Sequence, residues 1–363
     1  MKEKKELIIF IPSIEDGGVE KNLYLITNYL STKLDNICLI TANTNKKKEF
    51  SKKINFISPN SLFWKNRSRR IKTIICIYLL IKKLIFEKKK YLILSFQANI
   101  YALIISKIFN LNTIVRSNTS PSGWSNNKIK KLFFIYFFKK AKAIIVNSLH
   151  FKHEMKKKIK VDTICIYNPL NINEIKKKSK IKIKSSLFNK NILNIINVAR
   201  LTEQKDHITI LKEINLIKDK IKLKFFIIGK GTEINNIRNY VKNNKLKKYV
   251  KYLGYKKNPY PYIKNSKIFI LSSLYEGLPN VLLESIALKT SVISSNCPTG
   301  PREILMNNKY GDLFPVKDYK KLAELILKFK KNPQKINSAY LSLERIDFDK
   351  NCKSYLDIVN KFL

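Results

Sequence analysis

The stretch from Ser272 to Glu303 reads SSLYEGLPNVLLESIALKTSVISSNCPTGPRE. The residues before it, Lys267-Ile-Phe-Ile-Leu271, form a short apolar run that predicts a buried strand. The loop opening at Ser272 therefore lies at the strand's carboxyl end, where open α/β sheets bind ligands. Gly277 and Pro279 break the chain, and Val281 to Leu288 has the composition of a helix. A turn that feeds a helix leaves backbone N–H groups without intrahelical partners, and such groups suit a phosphate or a hydroxyl. Glu276 in the loop and Glu284 in the helix stand eight positions apart and can face one ligand from two sides.

Outward from this stretch the same alternation recurs. Apolar runs at Leu7 to Ile11, Ile37 to Thr41, Ile54 to Ile57, Leu92 to Ser95, Thr113 to Arg116 and Ala143 to Asn147 predict strands in the first half. Ile192 to Val198, Leu223 to Ile228, Val250 to Leu253 and Ile268 to Leu271 predict strands in the second, with helices at Asp206 to Lys218, Glu233 to Asn243 and Pro259 to Asn265. Strands alternating with helices imply parallel sheets covered on both faces. A chain of 363 residues suits two such domains. Their expected bounds are 1–168 and 191–346, with a polar, lysine-rich linker region at 169–190 and a last helix at 347–363.

Composition narrows the class. Apolar residues make up 45% and Gly and Pro only 9 and 11 positions, so the chain is globular. The 72 Lys+Arg against 26 Asp+Glu give a net charge of +46. Such a surplus points to nucleic acid, an anionic membrane or a phosphate-bearing substrate, although a coding bias towards Lys, Ile and Asn supplies part of it. The five cysteines are widely spaced with no C-x2-C pair, which predicts free thiols in a reducing compartment. The N-terminal apolar run is too short for a signal peptide and no run reaches the roughly 20 residues that span a bilayer, so a cytoplasmic protein is expected. Two segments, Lys65 to Lys90 with ten basic residues and one acid, and the aromatic-rich Lys128 to Lys142, combine cations with apolar clusters as interfacial helices do.

Glu276 and Glu284 with Gly277-Leu-Pro-Asn280 between them resemble the nucleotide-sugar-dependent retaining glycosyltransferases of the GT-B fold, in particular family 4. Matches in the family's order continue at Asn197-Val-Ala-Arg-Leu-Thr-Glu-Gln-Lys-Asp206, Ile228-Gly-Lys-Gly231, Tyr252-Leu-Gly-Tyr255 and Gly300-Pro-Arg-Glu303. The resemblance implies two doubly wound Rossmann-like domains facing a central cleft, with the last helix returning to brace the first. It implies Arg200 and Lys205 at the donor diphosphate, where fixed cations stabilise the charge of a departing nucleoside diphosphate. It assigns Glu284 to the ribose hydroxyls and Glu276 to those of the transferred sugar. Gly277, Leu278, Pro279 and Asn280 present backbone to that sugar, and Gly229 and Gly231 let the chain pass close to the nucleotide. Leu253 lines the base pocket, and Gly17 and Gly18, in the turn after the first strand, face the cleft.

One departure stands out: the histidine that many family members place in the first domain beside the transferred sugar has no counterpart. His150, His153 and His207 all lie elsewhere, and Asn118 is the nearest polar candidate. With no Asp-x-Asp pair, no metal and no cofactor beyond the nucleotide-sugar co-substrate are implied. The NCPTGPREIL segment resembles that of bacterial enzymes making surface or lipid-linked glycans. That implies a UDP hexose or N-acetylhexosamine donor, a glycan or polyprenyl-linked acceptor, no nucleic-acid partner, and work at the inner face of an anionic membrane. The rival readings are an epimerase or phosphorylase on the same fold, and a basic nucleic-acid-binding protein suggested by charge alone.

Overall fold

The computed structural model describes residues 5–15, 17–87, 89–118, 127–183, 185–189, 191–332 and 343–363. The chain forms two compact units, Met1–Pro169 together with Phe348–Leu363, and Leu170–Asp347.

The first unit runs β1 Lys5–Phe10, α1 Gly18–Leu30, β2 Ile37–Ile40, β3 Asn55–Ile57, α2 Arg69–Phe86, β4 Lys90–Ser95, α3 Asn99–Ile108, β5 Asn112–Arg116, α4 Lys128–Phe138, β6 Ala143–Val146, α5 Leu149–Ile159 and β7 Ile164–Cys165. Its strands pair in parallel in the order β3-β2-β1-β4-β5-β6-β7. Because the strands are apolar on both sides, successive residues feed two cores. Leu7 and Ile9 pack with Leu23 and Ile26 of α1, whereas Ile8 and Phe10 pack with Cys76 and Leu80 of α2 and Ala102 of α3.

The second unit runs α6 Ile172–Ser179, β8 Leu193–Val198, α7 His207–Ile217, β9 Leu223–Ile228, α8 Ile234–Asn243, β10 Val250–Tyr252, α9 Tyr260–Lys264, β11 Ile268–Leu271, α10 Asn280–Ala287, β12 Ser291–Ser295, α11 Gly300–Ile304, β13 Asp312–Phe314 and α12 Tyr319–Lys331. Its sheet order, β10-β9-β8-β11-β12-β13, repeats the scheme of the first. In both sheets the winding reverses between two adjacent strands: β1 and β4 in one, β8 and β11 in the other. The crevice above the carboxyl ends of such a pair is where doubly wound sheets hold ligands.

Two expectations change here. Part of the stretch expected as linker, 169–190, is helix α6, which packs on α9 and α10 of the second unit. Asn171 caps it through Glu174 N–H at 2.9 Å, and Ile175 is its buried anchor, so the expected linker region includes a short amphipathic helix. Two strands that sequence patterning left unnamed, β12 and β13, complete the second sheet. The terminal helix, α13 Phe348–Phe362, buries Cys352, Tyr355 and Val359 in the core shared with α1.

Candidate active site

The loops that follow β8 and β11 carry the charged residues of the second unit to its switch point. After Val198 the chain turns through Arg200 and a short 3-10 turn, Glu203–Lys205; after Leu271 it continues as Ser272 to Glu276. Backbone and side-chain bonds tie the two loops together. Leu274 N–H donates to Gln204 C=O at 2.8 Å, Gln204 Nε2 donates to Tyr275 C=O at 2.8 Å, and Ser272 Oγ lies 2.9 and 2.8 Å from the carbonyls of Lys205 and Asp206.

Across this seam Lys205 Nζ forms an ion pair with Glu276 Oε1, and Ser273 Oγ donates to the same oxygen at 2.7 Å. Both side chains of the pair are largely buried, so their attraction is less screened than on the surface. With Oε1 engaged twice, Glu276 is fixed in orientation and its second oxygen remains available for a hydroxyl. Arg200 does not join them: it is exposed on the β8 loop. Lys205 and Glu276 form the charged centre with Ser273 bonded to it, and Arg200 lies five positions before Lys205 on the same loop.

The turn that contains Gly277 is fastened from beneath by the segment after β12. Gly300 N–H donates to Gly277 C=O at 2.8 Å, and a Cβ on Gly300 would lie 2.1 Å from that oxygen, so only glycine fits. Thr299 Oγ1 donates to Glu276 C=O and lies 3.1 Å from Gly277 C=O, and Thr299 itself holds a φ of 77°. A threonine in the left-handed region is a strained placement that persists only where its surroundings enforce it. Ser295 Oγ adds a 2.6 Å bond to Ser273 C=O. Leu278 and Pro279 then lead into α10, whose first residue is Asn280.

Glu284 lies in the second turn of α10, 1% exposed, with Tyr260 OH 3.4 Å from its Oε1. A carboxylate at such a position faces the positive end of the helix dipole. Gly229 and Gly231 sit between β9 and α8, and their lack of a side chain is explained by their own chain. A Cβ on Gly229 would lie 1.9 Å from Ala199 C=O, and one on Gly231 would lie 2.2 Å from Leu201 C=O. The glycine loop thus packs directly on the β8 loop that carries Arg200. Leu253 N–H donates to Ile227 C=O at 2.9 Å, which holds the β10 end beside it, and Lys230 Nζ lies 4.5 Å from the ring centre of Tyr255.

In the first unit Gly17 precedes α1 and Gly18 begins it, at the carboxyl end of β1. Gly17 has an ordinary extended backbone, and a Cβ there would meet only the Glu20 carboxylate, 2.8 Å away. Glu20 is buried and its Oε1 accepts from Glu15 N–H at 3.4 Å; burial raises its pKa. This carboxylate therefore holds the turn. Asn118 lies at the end of β5, and both ends of its carboxamide are engaged: Oδ1 accepts from Arg116 Nη1, and Nδ2 donates to Phe96 C=O at 2.9 Å. Its work in this structure is to brace Arg116, which is 1% exposed and also donates to Tyr355 OH of α13 at 3.0 Å and to Asn168 Oδ1 at 2.7 Å.

Ser273, Thr299 and Tyr260 are the site residues that sequence reasoning left without a role. The first two lie inside the quoted stretch, where a hydroxyl at a strand end and a Thr-Gly pair after a proline were the available signals.

Residues 178–342 match the family described as glycosyl transferases group 1. An uncharacterized glycosyltransferase of Methanocaldococcus jannaschii is 32% identical over 221 residues, 56% of this chain and 53% of that protein. The Campylobacter jejuni GalNAc-α-(1→4)-GalNAc-α-(1→3)-diNAcBac-PP-undecaprenol α-1,4-N-acetyl-D-galactosaminyltransferase is 26% identical over 338 residues, 89% of each chain. The chain spans 53–60% of the length of three of the curated relatives it matches, the archaeal one included. Among solved structures, Anabaena HepE in complex with UDP superposes with a TM-score of 0.78 at 15% identity, over 98% of this chain and 100% of that one, which establishes the shared GT-B fold. Residues 178–342 thus match the group 1 glycosyl transferases, and the chain has the GT-B fold.

Proposed function

We propose that the chain moves a hexose or N-acetylhexosamine from a nucleotide sugar, with UDP as the nucleotide, to a polyprenyl-linked glycan with retention of configuration. The observation that carries this reading is the Lys205–Glu276 pair with Ser273 at the switch point of the second sheet. A donor diphosphate arriving there competes with Glu276 for the Lys205 ammonium, and Arg200 on the same loop supplies a second cation. Glu276 then turns its free oxygen to hydroxyls of the transferred sugar, and Glu284 takes the ribose hydroxyls.

As the bond from the anomeric carbon to the diphosphate oxygen breaks, negative charge grows on the leaving group, and fixed cations stabilise that state more than the intact donor. The acceptor hydroxyl forms its bond on the same face, and its proton passes to the departing diphosphate oxygen. No protein base is needed, which accords with the engagement of Asn118 elsewhere. The acceptor class is supported by the relatives named for undecaprenol-linked glycan substrates. With such an acceptor the protein works at the inner face of the membrane.

The test is mass spectrometry of nucleotide sugar retained by the purified protein, followed by incubation of each candidate donor with and without a polyprenyl diphosphate glycan. Product that requires the acceptor and carries an α linkage from an α-linked donor supports the proposal. A changed sugar without acceptor would establish an epimerase instead.

A further inference from the structure

Helices α2, α3 and α4 lie on one face of the first sheet, with α3 touching both neighbours. Each buries one side against the strands and exposes apolar side chains on the other. On α2, Ile71, Ile74, Tyr78 and Ile85 are exposed while Cys76 and Leu80 face the core. On α3 the exposed pair is Tyr101 and Ile108, seven positions apart. On α4 four residues are exposed, Ile129, Leu132, Phe133 and Tyr136, at the spacing of a single helical stripe. Ile74, Ile108 and Ile129 are 67, 72 and 78% exposed, more than incidental surface leucines or isoleucines require. The stripes meet: Lys107 of α3 donates to Tyr136 OH of α4 at 3.0 Å, and Lys140 Nζ lies 5.6 Å from the same ring centre. Three adjacent apolar stripes form a patch of the kind that marks an interaction surface.

Charge says what covers it. Residues 61–142, which contain all three helices, hold 18 Lys+Arg and one acid, Glu87; the other 281 residues hold 54 and 25. The density of cations is nearly the same in both parts, as a general coding bias would leave it. Acids are nearly absent here, with Glu87 alone in 82 residues; they are also absent from 234–275, so the cations count for this face because they flank its exposed apolar stripes. A second copy of the chain would bring a like-charged face against this one. A nucleic acid would use the cations but leave Ile74, Ile108, Ile129 and Leu132 without a role.

We infer that the α2–α3–α4 face is a docking surface for an anionic lipid bilayer, on which the first unit lies with its apolar stripes at the headgroup boundary and its cations among the phosphates. The cations placed for this include Arg67, Arg70, Lys82, Lys107, Lys130 and Lys140, long side chains that keep their charge in the headgroup layer while their stems follow apolar surface. Among the described residues no helix is long and apolar enough to cross a membrane, so the contact is interfacial. The inference deepens the reading that the acceptor is lipid-linked, since it sets the protein where that acceptor resides.

The experiment is co-sedimentation with sucrose-loaded vesicles of phosphatidylglycerol and phosphatidylcholine, against phosphatidylcholine alone, at physiological salt. The wild type is expected to sediment with the anionic vesicles only. Leu132→Gln with Phe133→Gln, both exposed positions, should lower that affinity at least about tenfold. Each of Arg67→Gln, Arg70→Gln and Lys130→Gln should lower it about fivefold. UDP binding, measured by calorimetry, should be unchanged in every variant and reports that they fold. Wild type left in the supernatant with anionic vesicles overturns the inference. So does an apolar double variant that binds as well as wild type, because the attraction is then diffuse charge, and so does self-association through these residues without vesicle binding. Transfer to an acceptor in detergent micelles separates the two proposals: transfer without vesicle binding removes the docking surface alone, and vesicle binding without transfer removes the function alone.

Discussion

Lys205 and Glu276, 71 positions apart in the chain, are joined as an ion pair across the two loops at the switch point of the second sheet. A nearly buried pair of this kind stabilises little as a unit, yet removing one partner leaves an uncompensated charge away from water. Lys205→Met and Glu276→Gln should each lower unfolding stability by about 3 kcal/mol or less, the lower end for fully buried pairs. The double variant should cost less than the sum, with a coupling of about 0.5–3 kcal/mol. Urea denaturation of the four proteins measures this, and strict additivity would show that the pair carries no energy.

Turnover should divide the cations differently. Arg200 is exposed on its loop, so Arg200→Ala should leave the urea midpoint unchanged while raising the barrier to transfer by about 2–4 kcal/mol, the scale of one lost preorganised contact. Lys205→Met should lose both stability and turnover. Normal turnover in Arg200→Ala would remove Arg200 from the diphosphate site.

The two carboxylates should separate by calorimetry with UDP. Glu284→Gln is expected to weaken binding about tenfold, the loss of one charge-assisted hydrogen bond to a ribose hydroxyl. Glu276→Gln should bind UDP at least as tightly as wild type, because Lys205 is then free for the diphosphate, and should lose turnover, because the second partner of this carboxylate is the sugar. Equal effects on UDP affinity would break this division.

Glycine positions offer a control on packing. Gly229→Ala would drive a Cβ to within 1.9 Å of Ala199 C=O, a backbone atom in the same seam, and should destabilise the fold strongly. Gly254 has a φ of 72°, and a Cβ added there would meet nothing within 4 Å, so Gly254→Ala should cost only the left-handed conformation, about 1–2 kcal/mol. Thermal melting of the two variants decides whether contact or conformation sets the requirement at each site.

Strands of the sheets were legible because buried parallel strands are unbroken apolar runs: Leu223–Ile228 and Ile268–Leu271 are observed at the bounds that the runs predict. Helix α6 was hidden because its eight residues include three lysines and one deeply buried anchor, Ile175, too little pattern to set against the surrounding charge. Strand β12 is Ser-Val-Ile-Ser-Ser, whose serines are buried, with Ser294 and Ser295 bonded to backbone carbonyls, so polarity of sequence did not mean exposure. The Lys205–Glu276 contact follows from strand order, which places β8 beside β11, and no spacing along the chain reveals it. The brace that occupies Asn118 depends on Arg116 being buried, which a basic residue at a strand end does not advertise.

Glu213 of α7 presents a final test, one of the fold. It is fully buried, and neither carboxyl oxygen has a hydrogen-bond partner among the described residues. Burial pushes its pKa well above the ordinary 4.5, so the folded protein holds this carboxyl neutral where the unfolded chain ionises it. The folded state then binds more protons than the unfolded state above pH 4.5, and stability falls as pH rises through that range. Glu213→Met, apolar and of similar length, removes the penalty. It should raise the urea midpoint at pH 7–8, and the gain should shrink as pH is lowered towards 4.5. His207 acts in the opposite sense over a neighbouring window: burial holds its pKa at about 4, so the unfolded chain takes up a proton below the ordinary 6.5 that the folded protein refuses, and stability falls as pH drops from 6.5 to 4. Comparing Glu213→Met with the wild type at each pH cancels the histidine, because both proteins carry it. A gain that is the same at pH 4.5 and pH 8 would mean that Glu213 is ionised and paired in the folded protein.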